Sequence, residues 1–205
     1  DKNFDEAFVL ADNLIDLVDN VIKSNQKNLS HASGPSDVEK NFIENKISLP
    51  MGMENGSALG TDINNIKYFF SRGIRYLTLT HAKDNQICDS SYDSKRTWNG
   101  LSDFGVEVIK EMNKIGMMVD VSHISDKTFY DVLKISKKPL VATHSSPRKF
   151  TPSFERNMSD EMIIDLAENG GIIMINFGSS FVNQRSNKIF SEIEKKVKGY
   201  KIKKI

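Results

Sequence analysis

Glu54, His81, His123 and His144 are the side chains of this sequence best suited to hold a metal ion or move a proton. Each closes an apolar, β-branched run: Ile47-Ser-Leu-Pro-Met-Gly-Met-Glu54, Arg75-Tyr-Leu-Thr-Leu-Thr-His81, Met117-Met-Val-Asp-Val-Ser-His123 and Leu140-Val-Ala-Thr-His144. Three of the four histidines in the chain therefore occupy such positions. A single histidine at a strand end is commonly a hydrogen-bonded structural residue. Successive strands ending in Glu, His, His and His are hard to attribute to packing, because charged and basic side chains are seldom buried without partners. Neutral imidazole and carboxylate are the ligands that zinc takes in catalytic sites, usually three of them plus a water. That water, its pKa lowered toward neutrality, becomes a nucleophile. The chemistry indicated is metal-dependent hydrolysis.

The surrounding elements must bring these four side chains together. Residues 4–22 read as an amphipathic helix, with Phe4, Ala7, Phe8, Ala11, Leu14, Ile15, Val18 and Ile22 at three- and four-residue steps and Asp5, Asp12, Asp16 and Asp19 on the other face. Asn25 to Pro35 is a polar break in which His31 reads as a surface loop residue. Ser36-Asp-Val-Glu39 has the form of a capping box opening a helix to Lys46. Strands are expected over 47–53, 75–80, 117–122, 140–143 and 172–177, the last a continuous apolar run. Helices are expected over 62–72, 102–115, 126–136, 160–169 and 186–198, with Ser102, Ser125 and Ser159 as caps and Gly73, Gly116 and Gly170 as stops. The polar loop 82–100, carrying Trp98 and Asn99, is long enough to be functional, and both residues fit loop packing or substrate contact equally. A second loop, 147–158, carries Arg148, Lys149 and Arg156.

Strand and helix alternate, and the strands lack strict polar alternation. This is the pattern of a parallel sheet in an α/β protein. In such folds the C-terminal strand ends build the site. Neighbouring strands lie about 4.8 Å apart, so side chains from two or three of them can converge on one ion. Asp120 falls on the strand face opposite Val119 and Val121. It is either a hydrogen-bond partner of a ligand histidine or a buried structural carboxylate.

Composition narrows the function classes. A chain of 205 residues with 39% hydrophobic and 27% charged residues suits one globular domain or part of a larger barrel. A net charge of +1 gives no electrostatic case for nucleic acid or an anionic membrane. The basic run from Lys195 to Lys204 reads as a solvated helix face or a frayed end. Cys88 is the only cysteine, which excludes an intrachain disulfide and a cysteine-based zinc cluster. No apolar stretch reaches transmembrane length and no signal peptide is visible, which leaves the compartment open.

Six segments together resemble the membrane (renal-type) dipeptidase family of zinc dipeptidases: Gly52-Met-Glu-Asn-Gly56, Gly73-Ile-Arg-Tyr-Leu-Thr-Leu-Thr-His81, Asn99-Gly-Leu-Ser-Asp-Phe-Gly105, Met118-Val-Asp-Val-Ser-His-Ile-Ser125, Thr143-His-Ser-Ser146 and Arg156-Asn157. The match runs in order from about residue 36 to 182. The resemblance implies an α/β fold of the (β/α)₈ TIM-barrel type with two zinc ions, a homodimer, and hydrolysis of dipeptides, including those with a C-terminal D-residue, by a hydroxide held on the metal. It implies that Glu54 is the carboxylate bridging the two metals and that His123 and His144 are the remaining protein ligands of one of them. It implies that His81 contacts substrate and polarises the carbonyl or stabilises its oxyanion, and that Arg156 binds the substrate carboxylate. On this basis residues 1–46 are a helical lead-in, 47–182 the barrel core, and 183–205 a helical Lys-rich tail or insertion.

The sequence also departs from the family pattern. The family has a His-x-Asp pair at the end of the first barrel strand and a late Asp that binds metal and carries the proton; neither is found here. Five strands are counted where a barrel has eight. The chain is therefore expected to lack the first strand and the last units, and to keep one complete three-ligand site, Glu54, His123 and His144. Rival expectations are another amide or ester hydrolase on the same barrel, or an inactive fragment or binding relative.

Overall fold

The computed structural model describes residues 3–202, with side chains from Asn3 to Val197. Helix α1 spans Phe4–Ser24, and the Asn3 side chain caps it by accepting from the Glu6 N–H at 3.2 Å. Its orientation differs from the periodicity-based expectation. Arg72 pairs with Asp12 and, at 2.6 Å, with Asp16, while the Tyr68 hydroxyl donates to Asp12 at 2.7 Å. These ties turn the acidic side toward helix α3 (Asn64–Ser71), where Phe8 packs on Tyr68 and Phe69. Ile15 and Ile22 are buried, but Leu14, expected inward, joins Leu10 and Leu17 on an exposed stripe.

Two further local expectations are corrected. The polar break contains a short strand, β1 (Leu29–His31), which pairs in parallel with β2 (Ile47–Leu49). His31 is thus a strand residue rather than a loop residue, and its Nε2 lies 2.9 Å from Asp19 Oδ1, away from the other histidines. The single strand expected over 47–53 is two strands. Pro50 separates β2 from β3 (Met51–Glu54) because it has no N–H to continue a ladder. Helix α2 (Pro35–Ile43) starts from Gly34, with Pro35 at its first position and no side-chain cap from Ser36. Asp37 instead reaches back to accept from the Ser33 N–H at 2.8 Å.

The main sheet has five parallel strands in the order β3–β4–β5–β6–β7, with β4 at Ile74–Thr78, β5 at Met118–Asp120, β6 at Val141–Ser145 and β7 at Ile172–Ile175. Sequence order and sheet order coincide, as in a barrel wall built from successive βα units. Glu54, Thr78, Asp120 and Val141 lie in one row across it. The connecting helices α4 (Asp103–Ile115), α5 (Asp126–Ile135) and α6 (Asp160–Glu168) start where expected: Ser102, Ser125 and Ser159 accept from the N–H groups of Gly105, Thr128 and Met162. Gly116, in the left-handed region at φ 83°, ends α4. Buried Ile66, Phe69, Leu77, Val108, Ile109 and Phe129 fill the core between sheet and helices.

The sheet is an open sector of an α/β barrel, and neither edge carries a further strand among the described residues. The apolar run expected to be buried at 172–177 is consequently exposed, with Ile172 57% and Met174 49% accessible, because β7 is an edge strand. Helices α7 (Ser179–Val182) and α8 (Gln184–Ile202) follow it. No helix among the described residues is long and apolar enough to cross a membrane.

Candidate metal centre

The four side chains reach the same end of the sheet by different local routes. Glu54 is the last residue of β3 and His144 lies within β6. His123 sits three residues past β5, in the left-handed region at φ 71°, where the chain turns its ring back over the sheet. His81 lies three residues past β4 and is half exposed. The long loop 82–100 straps two of these turns in place. Ser90 Oγ donates to the His81 carbonyl at 2.5 Å, and the Ser91 N–H donates to the His123 carbonyl at 2.7 Å. The loop is itself ordered by buried side chains. Asn85 accepts from the N–H groups of Ile87 and Cys88, and Asp89 accepts from those of Trp98 and Gly100. The Trp98 indole donates to the Asn85 carbonyl at 2.7 Å, so its packing is with the loop. Cys88 is fully buried, and burial pushes its thiol pKa up, which leaves it inert.

Glu54, His123 and His144 converge. Both imidazole Nε2 atoms lie 3.0 Å from Glu54 Oε1 and 2.9 Å from each other. A single proton cannot bridge all three of these contacts, whereas one cation can. Ligands at about 2.0–2.1 Å in a tetrahedral shell sit roughly 3.3 Å apart, close to the observed spacing. The donor set, two neutral imidazoles and one carboxylate, is one that zinc accepts in catalytic sites. These residues therefore fit a metal ion. His81 stands beside this group. Its Nε2 is 3.7 Å from Glu54 Oε1, and its ring centroid is 4.3 Å from that of His123.

His123 is neutral in this setting. Burial pulls its pKa from 6.5 to about 2, and the positive Arg156 together with His81 and His144 adds to the effect. The unfolded chain takes up a proton at this position near pH 6.5, and the folded chain does not. Stability is thus fully present above that value and is lost as the pH falls through it, by about 1.4 kcal/mol per pH unit at full slope. The urea midpoint of metal-free protein is expected to drop between about pH 7 and 5. H123N should show a shallower dependence; an unchanged slope would contradict the assignment.

Arg156, which as a loop residue could have stood in water, is 3% exposed. Its Nη1 donates to Ser145 Oγ at 2.9 Å and its Nη2 to the His144 carbonyl at 2.6 Å, while buried Nε has no partner among the described residues. Burial lowers its pKa, and the negative charges of Asp120 and Glu54 oppose that shift. A buried guanidinium with no carboxylate paired to it among the described residues is suited to an anionic ligand.

A cavity of about 630 Å³ opens beside His81 and His123 and is walled by Tyr92, Phe154, Phe181 and Phe190. Lys83 and Glu194 also line it. Phe190 and Glu194 belong to α8, so the segment read as a helical Lys-rich tail or insertion contributes a wall of the cavity. Lys195 and Lys196 do point to solvent, and the side chains beyond Val197 lie outside the described residues. No motif marked the aromatic wall. The only signal in the sequence was the length of the loop that carries Tyr92.

Comparison with known proteins agrees with this architecture. A dipeptidase of Claviceps purpurea is 37% identical over 163 residues, 80% of this chain and 38% of that protein. A Schizosaccharomyces pombe protein named an uncharacterised dipeptidase is 34% identical over 169 residues, 82% of this chain and 41% of its own length. The chain thus spans about two fifths of the curated relatives it matches. Among solved structures, the probable dipeptidase from Pseudomonas aeruginosa has a TM-score of 0.80 at 28% identity, covering 84% of this chain and 44% of that one. A metallopeptidase from Rhodobacter sphaeroides, liganded with a phosphinate mimic of L-Ala-D-Ala, has a TM-score of 0.73 at 29% identity, covering 79% of this chain and 47% of that one. The family model described as membrane dipeptidase, peptidase family M19, matches residues 1–199. With the parallel sheet, the convergent ligand set and this match together, the chain belongs to the membrane dipeptidase family.

Proposed function

We propose that the protein takes part in zinc-dependent hydrolysis of dipeptides. The convergence of Glu54, His123 and His144 within 3.0 Å of one another carries this reading. Zinc held there supplies Lewis acidity, which lowers the pKa of a water toward neutrality. The side chains do the rest. Glu54 and the two imidazoles would hold the ion, and the Glu54 side chain is half exposed. His81, half exposed and next to Glu54, donates to the carbonyl oxygen as negative charge develops on it. Arg156 takes the C-terminal carboxylate of the substrate, and the aromatic cavity receives a side chain. The phosphinate mimic of a dipeptide bound by the Rhodobacter sphaeroides relative supports this substrate class.

The test is a panel of dipeptides, acylated amino acids and lactones offered to the full-length protein, before and after chelation and zinc restoration. Dipeptides should be turned over preferentially, with activity lost on chelation and recovered with zinc. Turnover that is indifferent to chelation, or confined to lactones, would contradict the proposal.

A further inference from the structure

Asp120 is fully buried, and its hydrogen-bonding partners are four donors from three residues. Thr78 Oγ1 donates to Oδ2 at 2.5 Å and Thr143 Oγ1 donates to Oδ2 at 2.6 Å. The N–H groups of Ser122 and Thr143 donate to Oδ1 at 2.9 and 3.0 Å. Thr143 is the residue that passes this arrangement on to the candidate metal centre. Its hydroxyl oxygen also lies 2.7 Å from His144 Nδ1. A threonine hydroxyl has one proton, and here that proton points at Asp120. Toward His144 the oxygen can only accept, so Nδ1 must carry the ring proton. His144 Nε2 is then left with its lone pair, and Nε2 is the atom that faces Glu54 Oε1 and His123 Nε2. The backbone is tied to the same place, because the His144 N–H donates to Ser122 Oγ at 3.1 Å.

We propose that Asp120 and Thr143 are a positioning pair: together they hold His144 in the Nδ1–H tautomer and aim its Nε2 lone pair at the metal position. This rests on the reading of His144 as a ligand. A carboxylate acting on a ligand imidazole through one hydroxyl also resolves the two roles that the sequence left open for Asp120. It is buried, and its burial serves the ligand geometry.

Thr143→Val removes the hydroxyl and nearly keeps the shape, Thr143→Ser keeps the hydroxyl, and Thr143→Ala serves if the valine variant does not fold. Zinc affinity should fall about 10- to 100-fold in Thr143→Val or Thr143→Ala, the usual cost of losing an outer partner of a ligand histidine, and should largely recover in Thr143→Ser. Nitrogen-15 spectra of metal-free protein should show His144 Nδ1 protonated in the parent and Thr143→Ser, and a mixed or reversed tautomer without the hydroxyl. Unchanged affinity with His144 Nδ1 still protonated in the hydroxyl-free variants would overturn the pair, even if those variants melt earlier. Parent protein that binds no zinc would instead count against the proposed function, and the tautomer measurement would still decide the pair.

Discussion

His144→Ala is expected to abolish stable zinc binding and to lower kcat/KM for dipeptides by more than about 100-fold, since removing even an outer partner of a ligand costs 10- to 100-fold. The residue touches both other ligand groups and two residues that support the centre. Its Nε2 faces both Glu54 and His123, its Nδ1 is held by Thr143, and its carbonyl accepts from Arg156. Truncation leaves two ligand groups, fewer than the three protein ligands of a catalytic zinc site. Metal content after dialysis and steady-state kinetics on the same preparation check this. Substantial activity with unchanged zinc would refute the assigned role.

Arg156→Lys is expected to cost roughly 10- to 150-fold in kcat/KM, mostly through KM, which corresponds to the 1.5–3 kcal/mol typical of a hydrogen bond to a charged group. Lysine keeps the charge but not the planar fork. In this protein the fork is anchored on Ser145 Oγ and the His144 carbonyl, so an ammonium in its place cannot hold both and still meet a carboxylate. The comparison that isolates this role is a dipeptide against its C-terminal amide. The variant should lose its discrimination between them, because the amide has no carboxylate to bind. Equal losses on both substrates would assign Arg156 to the architecture alone.

How much of this was legible in the sequence depended on the range of the interactions. Ser102, Ser125 and Ser159 announced three helices because a cap is a local contact between a side chain and an N–H three residues on. Glu54, His81, His123 and His144 could be read as one group because parallel strands deliver their C-terminal ends to one place, while the choice of Glu54, His123 and His144 as the ligand set came from the family resemblance. Features set by distant partners were hidden. The rotation of α1 depends on Arg72, 60 positions beyond Asp12. The exposure of β7 depends on its position at the sheet edge, which no local pattern records. Pro50 was visible, but its splitting of one strand into two sheets required knowing that β1 had formed to pair with β2. Phe181 and Phe190 carried no spacing signal for the cavity they line.

Whether Glu54, His123 and His144 hold one zinc ion can be seen in a crystal of the protein equilibrated with zinc and measured at the zinc edge. An anomalous peak is expected about 2.0–2.2 Å from Glu54 Oε1 and from Nε2 of both His123 and His144. A peak bound elsewhere, or none at this position with zinc in excess, would contradict it.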